Sequence, residues 1–153
     1  MGELEVKVPP PLVALAAALG MWAVSRVTFA YELDVVLRLA VAMVVALIGG
    51  AFSAAGIRAF RRAKTTLNPT RPEAASSLVT DGIYRITRNP MYLGLLFVLV
   101  AWAAFLSAPW SLVGPVLFVG YMNRWQITPE ERALAAAFGD EFARYKAKVR
   151  RWL

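Results

Sequence analysis

Two residue types are missing altogether: the 153 residues contain no cysteine and no histidine. Disulfides, cysteine nucleophiles and imidazole bases are thereby excluded, and a zinc or haem site loses its usual ligands. Any acid–base work falls to carboxylates, tyrosines, lysines or water. Acidic residues are also scarce, 10 Asp and Glu against 17 Lys and Arg, giving a net charge of +7. The N-terminus, Met1-Gly-Glu-Leu-Glu-Val-Lys7, is mixed in charge and lacks the pattern of a cleavable signal peptide. No internal repeat or low-complexity run occurs.

What is abundant is apolar. Hydrophobic residues make up 59% of the chain, and the mean hydropathy is +0.54. Soluble domains average roughly 45–50%. The excess lies in blocks long enough to cross a bilayer. Basic residues lie between the blocks. Arg58, Arg61, Arg62, Lys64, Arg71, Arg85 and Arg88 surround one connection, and Arg124, Arg132, Arg144, Lys146, Lys148, Arg150 and Arg151 occupy the C-terminal part. Charge in alternate connections is the positive-inside pattern. It argues for both termini on the cytoplasmic side, in the inner membrane if the source is bacterial. It also argues against nucleic acid as the partner, because the charges flank apolar spans and no nucleic-acid motif is present.

The expected architecture is all-α and integral to the membrane, a single domain over residues 1–153. About four transmembrane helices are expected, at 10–31, 35–60, 90–106 and 110–126. A cytoplasmic amphipathic helix or helix pair follows over 128–153. Pro9-Pro10-Pro11 opens the first span. Gly49, Gly50, Ser53, Ala54 and Gly56 give the second a small-residue face suited to close helix contact. Leu67-Asn-Pro-Thr-Arg-Pro72 reads as extended and Thr80-Asp81-Gly82 as a turn. The 35 residues 89–123 carry no charge. That is too long for one ordinary span, and Ser107-Ala108-Pro109 supplies a break. Leu134, Phe138, Phe142, Tyr145, Val149 and Trp152 recur at helical spacing, and Gly139 is placed to kink that helix.

Two clusters carry chemistry. In Arg88-Asn89-Pro90-Met91-Tyr92-Leu93-Gly94, Asn89 and Pro90 suit an N-cap and a first helical position. A helix start of this kind holds anions, and Arg85 and Arg88 add positive charge. Gly94, one turn in, admits a ligand or another backbone. The same residues also describe a capped membrane helix with interfacial arginines. In Gln126-Ile-Thr-Pro-Glu-Glu131, Thr128 and Glu131 have capping-box spacing. Either Glu131 caps its own helix, or Glu130 and Glu131 accept hydrogen bonds from ribose hydroxyls or balance a cation.

Together the clusters resemble the isoprenylcysteine carboxyl methyltransferase family, membrane enzymes related to phospholipid N-methyltransferases and thiol methyltransferases. Its signature, Gly-x-Tyr-Arg then Arg-His-Pro-x-Tyr-x-Gly, appears as Gly82-Ile-Tyr84-Arg85 and Arg88-Asn-Pro-Met-Tyr92-Leu-Gly94. Its Glu-Glu pair, followed by Phe-Gly-x-Glu-Tyr-x-x-Tyr, appears as Glu130-Glu131 and Phe138-Gly-Asp-Glu141-Phe-Ala-Arg-Tyr145. The resemblance covers roughly Leu67 to the C-terminus.

The resemblance implies methyl transfer from S-adenosylmethionine, with S-adenosylhomocysteine as product, to a lipophilic or small acceptor reached from the bilayer. It assigns Tyr84, Arg88, Asn89, Pro90, Tyr92, Leu93, Gly94, Glu130 and Glu131 to the cofactor. It assigns Glu131, Gln126 and Arg124 to the acceptor side, with Glu131 as candidate base, and no metal. The signature histidine is Asn89 here, which carries no proton at neutral pH. Gln126 stands where the prenylcysteine enzymes have an arginine for the substrate carboxylate, so carboxylate, thiol and amine acceptors all stay open. Two other classes fit less of the pattern: a non-catalytic lipid-binding or partner-assembly protein, and an NADPH-dependent reductase with a similar terminal motif.

Overall fold

The computed structural model describes residues 8–63 and 77–153. Five α-helices carry the fold: α1 (Pro10–Val27), α2 (Val35–Ala63), α3 (Pro90–Leu106), α4 (Val113–Tyr121) and α5 (Thr128–Lys148). Short 3-10 turns at Gly82–Arg85 and Pro109–Leu112 and a π-helical segment at Met122–Ile127 link them. The described residues contain no strand. The expected extended stretch Leu67–Pro72 lies outside the described residues.

Among the described residues two helices, α1 and α2, are long and apolar enough to cross a membrane. α3 is a shorter apolar helix of 17 residues, and α4 has nine. Large apolar side chains of α1 and α2, among them Leu19, Val36, Met43 and Leu47, face outward, as lipid-facing residues do.

The first span ends earlier than expected. α1 stops at Val27, and Thr28 is extended. The chain leaves the helix because the Tyr31 N–H reaches the Ser107 carbonyl at the far end of α3, 2.8 Å away. Ser107 has the expected break, with φ of 53° ending α3.

α2 and α3 pack closest. A side chain at Gly49 would meet the Gly94 carbonyl at 2.7 Å, and one at Gly94 would meet the Gly49 carbonyl at 2.6 Å and the Ser53 hydroxyl closer still. The two backbones therefore cross at a paired glycine contact. Gly56 sits over Met91 and Pro90, whereas Gly50 has open space and is off the contact. The central core joins Met21, Leu99, Phe118, Met122 and Ile127.

The expected helix start at Thr128 is not there. Ile127 and Thr128 are both helical, so α4 runs through the π segment into α5 without a cap. Pro129 explains the widened turn: it has no N–H for the carbonyl four residues back, and its ring would crowd that carbonyl. The Thr128 hydroxyl instead donates to the Asn123 carbonyl at 2.7 Å. The capping box over Thr128 and Glu131 is thus absent, which frees Glu131 for other partners.

α5 breaks at Gly139, where φ is 47° and ψ is −122°. It ends at Lys148, and Val149 is extended. Val149 and Trp152 are therefore not on the helical face of Phe142 and Tyr145. They belong to a tail that folds back along residues 84–89.

Candidate functional site

The C-terminal tail and the start of α3 are stitched together by backbone groups. The Arg88 N–H donates to the Arg150 carbonyl at 3.0 Å. The Thr87 hydroxyl and the Asn89 amide both donate to the Arg151 carbonyl, at 3.2 and 2.9 Å. Asn89 occupies the N-cap position but makes no side-chain cap. Its side chain is committed to the tail, so the first-turn amides of α3 lack a capping side chain. Tyr145 closes the clip by donating to the Tyr84 carbonyl at 2.7 Å. Tyr84 is buried against Phe60, ring centroids 5.5 Å apart, and burial pushes its phenol up.

Glu131 sits among three cations. Arg151 grips it with both ends of its fork, Nε to Oε1 at 3.1 Å and NH2 to Oε2 at 2.7 Å. Arg88 NH2 donates to Oε1 at 2.8 Å, and the Lys146 ammonium lies 3.5 Å from Oε2. Burial pushes the Glu131 carboxyl up. The hydrogen bonds from Arg151 and the charges of Arg88, Arg151 and Lys146 outweigh it, and the carboxyl titrates below its ordinary value. The Arg88 side chain is only 10% exposed, and its Nε has no partner among the described residues.

Glu130, one residue earlier, has a different environment. Tyr92 donates to its Oε1 at 2.5 Å, and Gln126 Nε2 donates to the same oxygen at 2.6 Å. Burial raises the Glu130 carboxyl to about 7, against the pull of the Tyr92 and Gln126 hydrogen bonds, and the charge of Glu131 adds to the rise. Two neighbouring carboxylates with diverging proton affinities are a common arrangement for dividing labour in a site.

The structure therefore brings Arg88 and Glu131 into one hydrogen-bonded network and Tyr92, Gln126 and Glu130 into a second, on adjacent residues of α5, with Asn89 and Pro90 buried. It separates others from them. Arg85 is exposed and paired with Asp81 at 2.9 Å. Arg124 is exposed over the Trp125 ring, 6.0 Å from its centroid. The side-chain direction of Gly94 is filled by α2, so this glycine serves helix contact. Leu93 is buried in the packed interior.

Sequence reasoning missed Arg151, Asn123 and Thr87. Asn123 Oδ1 accepts from Arg151 at 3.3 Å and from Trp152 at 3.1 Å. The only signal was general: basic residues crowd the last ten positions, and their one buried acidic partner lies twenty residues upstream.

The model of the phospholipid methyltransferase family matches residues 37–141. An uncharacterized protein of Haemophilus influenzae is 48% identical over 63 residues, 41% of this chain and 100% of that protein. Protein-S-isoprenylcysteine O-methyltransferase B of Arabidopsis thaliana is 33% identical over 88 residues, 58% of this chain and 45% of that enzyme. Methanethiol S-methyltransferase 1 of Bradyrhizobium diazoefficiens is 37% identical over 73 residues, 46% of this chain and 24% of that enzyme. The matches span less than half the length of either methyltransferase. No solved structure matches the chain.

Proposed function

The chain belongs to the phospholipid methyltransferase family, and from that premise we propose that it transfers a methyl group from S-adenosylmethionine to a lipophilic amine or thiol at the membrane surface. The observation that carries this reading is the pair of contacts joining the start of α3 to the first turn of α5, Tyr92 to Glu130 and Arg88 to Glu131.

The residues fit the cofactor. α3 starts without a side-chain cap, which leaves amide groups and the positive end of a helix for a carboxylate. Arg88 keeps a buried Nε without a partner beside them. Two glutamates offer acceptors for hydroxyl and ammonium groups. When bound, the cofactor supplies an electrophilic methyl group on sulfur.

The protein's own residues divide the remaining work. Arg88 and the α3 amides hold a carboxylate, and Glu131 with Arg151 keeps Arg88 in place. Tyr92 and Gln126 fix Glu130 through one oxygen, leaving Oε2 to take a proton from the acceptor. Glu131 is a poor base because its cations hold the proton off, so the base role passes to Glu130. Gln126 acts as the orienting donor. A carboxylate acceptor would bring no proton at neutral pH, whereas a thiol or ammonium does. Alignment of donor and acceptor alone removes roughly 7–11 kcal/mol of barrier in such displacements, so a site without histidine or cysteine suffices.

The test offers methyl-labelled S-adenosylmethionine to the protein in detergent with amphiphiles bearing an amine, a thiol or a carboxylate. Labelled amine or thiol product is expected. Label on the carboxylate alone would remove Glu130 from the base role, and label on none of them across a broad acceptor panel would count against the enzyme.

A further inference from the structure

A second polar feature lies at the other end of the bundle. α3 has 17 residues, and at 1.5 Å per residue it holds its two ends about 25 Å apart. The Glu130–Glu131 cluster is at its start. At its end, the last turns of α1 and α3 and the first turn of α2 line an open groove of about 330 Å³. Trp22, Trp102, Phe105 and Leu106 form apolar walls, and Arg26 and Arg38 bring two positive charges into it.

No carboxylate lines this groove among the described residues. Asp34, immediately before α2, is occupied in capping that helix, accepting from the Val36 and Leu37 amides at 2.9 and 3.1 Å. Arg38 makes one long hydrogen bond, NH1 to the Phe105 carbonyl at 3.4 Å, and its guanidinium carbon lies 5.7 Å from the Phe105 ring centroid. Its Nε is buried and has no partner among the described residues. Arg26 makes no hydrogen bond or ion pair among the described residues. Buried guanidinium donors are normally satisfied, and the buried Arg38 Nε, with the exposed Arg26 lining the same groove and no acid among the described lining residues, calls for an anion.

We propose that this groove binds the phosphodiester headgroup of an anionic phospholipid, in the leaflet opposite the Glu130–Glu131 cluster. Arginine forks match phosphate oxygens geometrically. Tryptophans flank headgroups at interfacial depth, and Trp22 and Trp102 stand there as walls. The Trp102 indole N–H is already donated to the Ala18 carbonyl at 3.1 Å, so its ring packs while the arginines bind. An acyl chain would continue along the outward-facing Leu15, Leu19 and Trp22 of α1. A free phosphate would use the arginines and leave those apolar walls unused, which favours the lipid.

The test is native mass spectrometry and thermal shift on the full chain in detergent, with added phosphatidylglycerol, phosphatidylcholine or inorganic phosphate. Phosphatidylglycerol should remain bound and raise the melting temperature, and the other two should not. Arg26→Gln removes no hydrogen bond or ion pair among the described residues and should weaken phosphatidylglycerol retention about tenfold. Arg26→Gln/Arg38→Gln should abolish it, while S-adenosylhomocysteine binding stays as in the parent. Equal retention of phosphatidylcholine, an equal shift with inorganic phosphate, or undiminished binding in Arg26→Gln would each overturn the proposal.

Discussion

The Tyr92 hydroxyl donates to Glu130 Oε1 across 2.5 Å, joining the first turn of α3 to the first turn of α5. Glu131, the next residue, turns to Arg88 and Arg151 instead. Adjacent carboxylates thus meet opposite surroundings, one among neutral donors and one among cations.

That contrast predicts a pH signature. Glu130 titrates near 7, so activity toward an amine or thiol should rise through about pH 7 as its carboxylate forms. Glu130→Gln should lower kcat roughly 100-fold or more and remove that limb. A pH–rate profile of the two proteins measures it, and an unchanged limb in the variant would assign the titration elsewhere.

The same shift has a stability consequence. A carboxyl raised from 4.5 to about 7 favours the fold while protonated. Its contribution is fully present below pH 4.5 and is lost as pH rises through 7. Melting temperature should therefore fall less for Glu130→Gln than for the parent between those values. Glu131 behaves oppositely: its lowered value adds stability above the ordinary carboxylate range that is lost in acid.

Glu131→Gln leaves Arg88 and Arg151 facing each other without their shared anion. Breaking such a buried pair costs about 3 kcal/mol or more. Arg85→Ala, on an exposed pair, should change stability by less than about 1 kcal/mol. Chemical denaturation in detergent compares the two, and equal losses would mean that the Glu131 network does not hold the tail.

Helix contact gives a third contrast. Gly49→Ala and Gly94→Ala drive a methyl group into opposing backbone and should each destabilise by about 1–3 kcal/mol. Gly50→Ala meets open space and should be neutral or stabilising by up to about 1 kcal/mol. Thermal melts of the three variants check the α2–α3 crossing.

Much of this fold was legible because apolar runs and their punctuation are local. Pro90 opened α3 and Ser107 closed it where the sequence indicated, and Gly139 broke α5. The errors came from contacts distant in sequence or from backbone competition. The α1 end was set by a Ser107 carbonyl far along the chain. The capping box at Thr128 failed because Pro129 widened the turn instead of starting a helix. Arg88, Tyr92, Gln126 and the two glutamates were identifiable from the paired motifs. Arg151 was not, because nothing in its neighbourhood indicates that the tail returns to Thr87 and Asn89.

Titration of the purified protein with S-adenosylhomocysteine tests the central claim most directly. Calorimetry should show saturable binding to the parent in the micromolar range, weakened at least tenfold by Arg88→Ala and unchanged by Arg85→Ala. No binding heat up to millimolar ligand, or equal affinity in Arg88→Ala, would contradict a cofactor site between α3 and the Glu130–Glu131 pair.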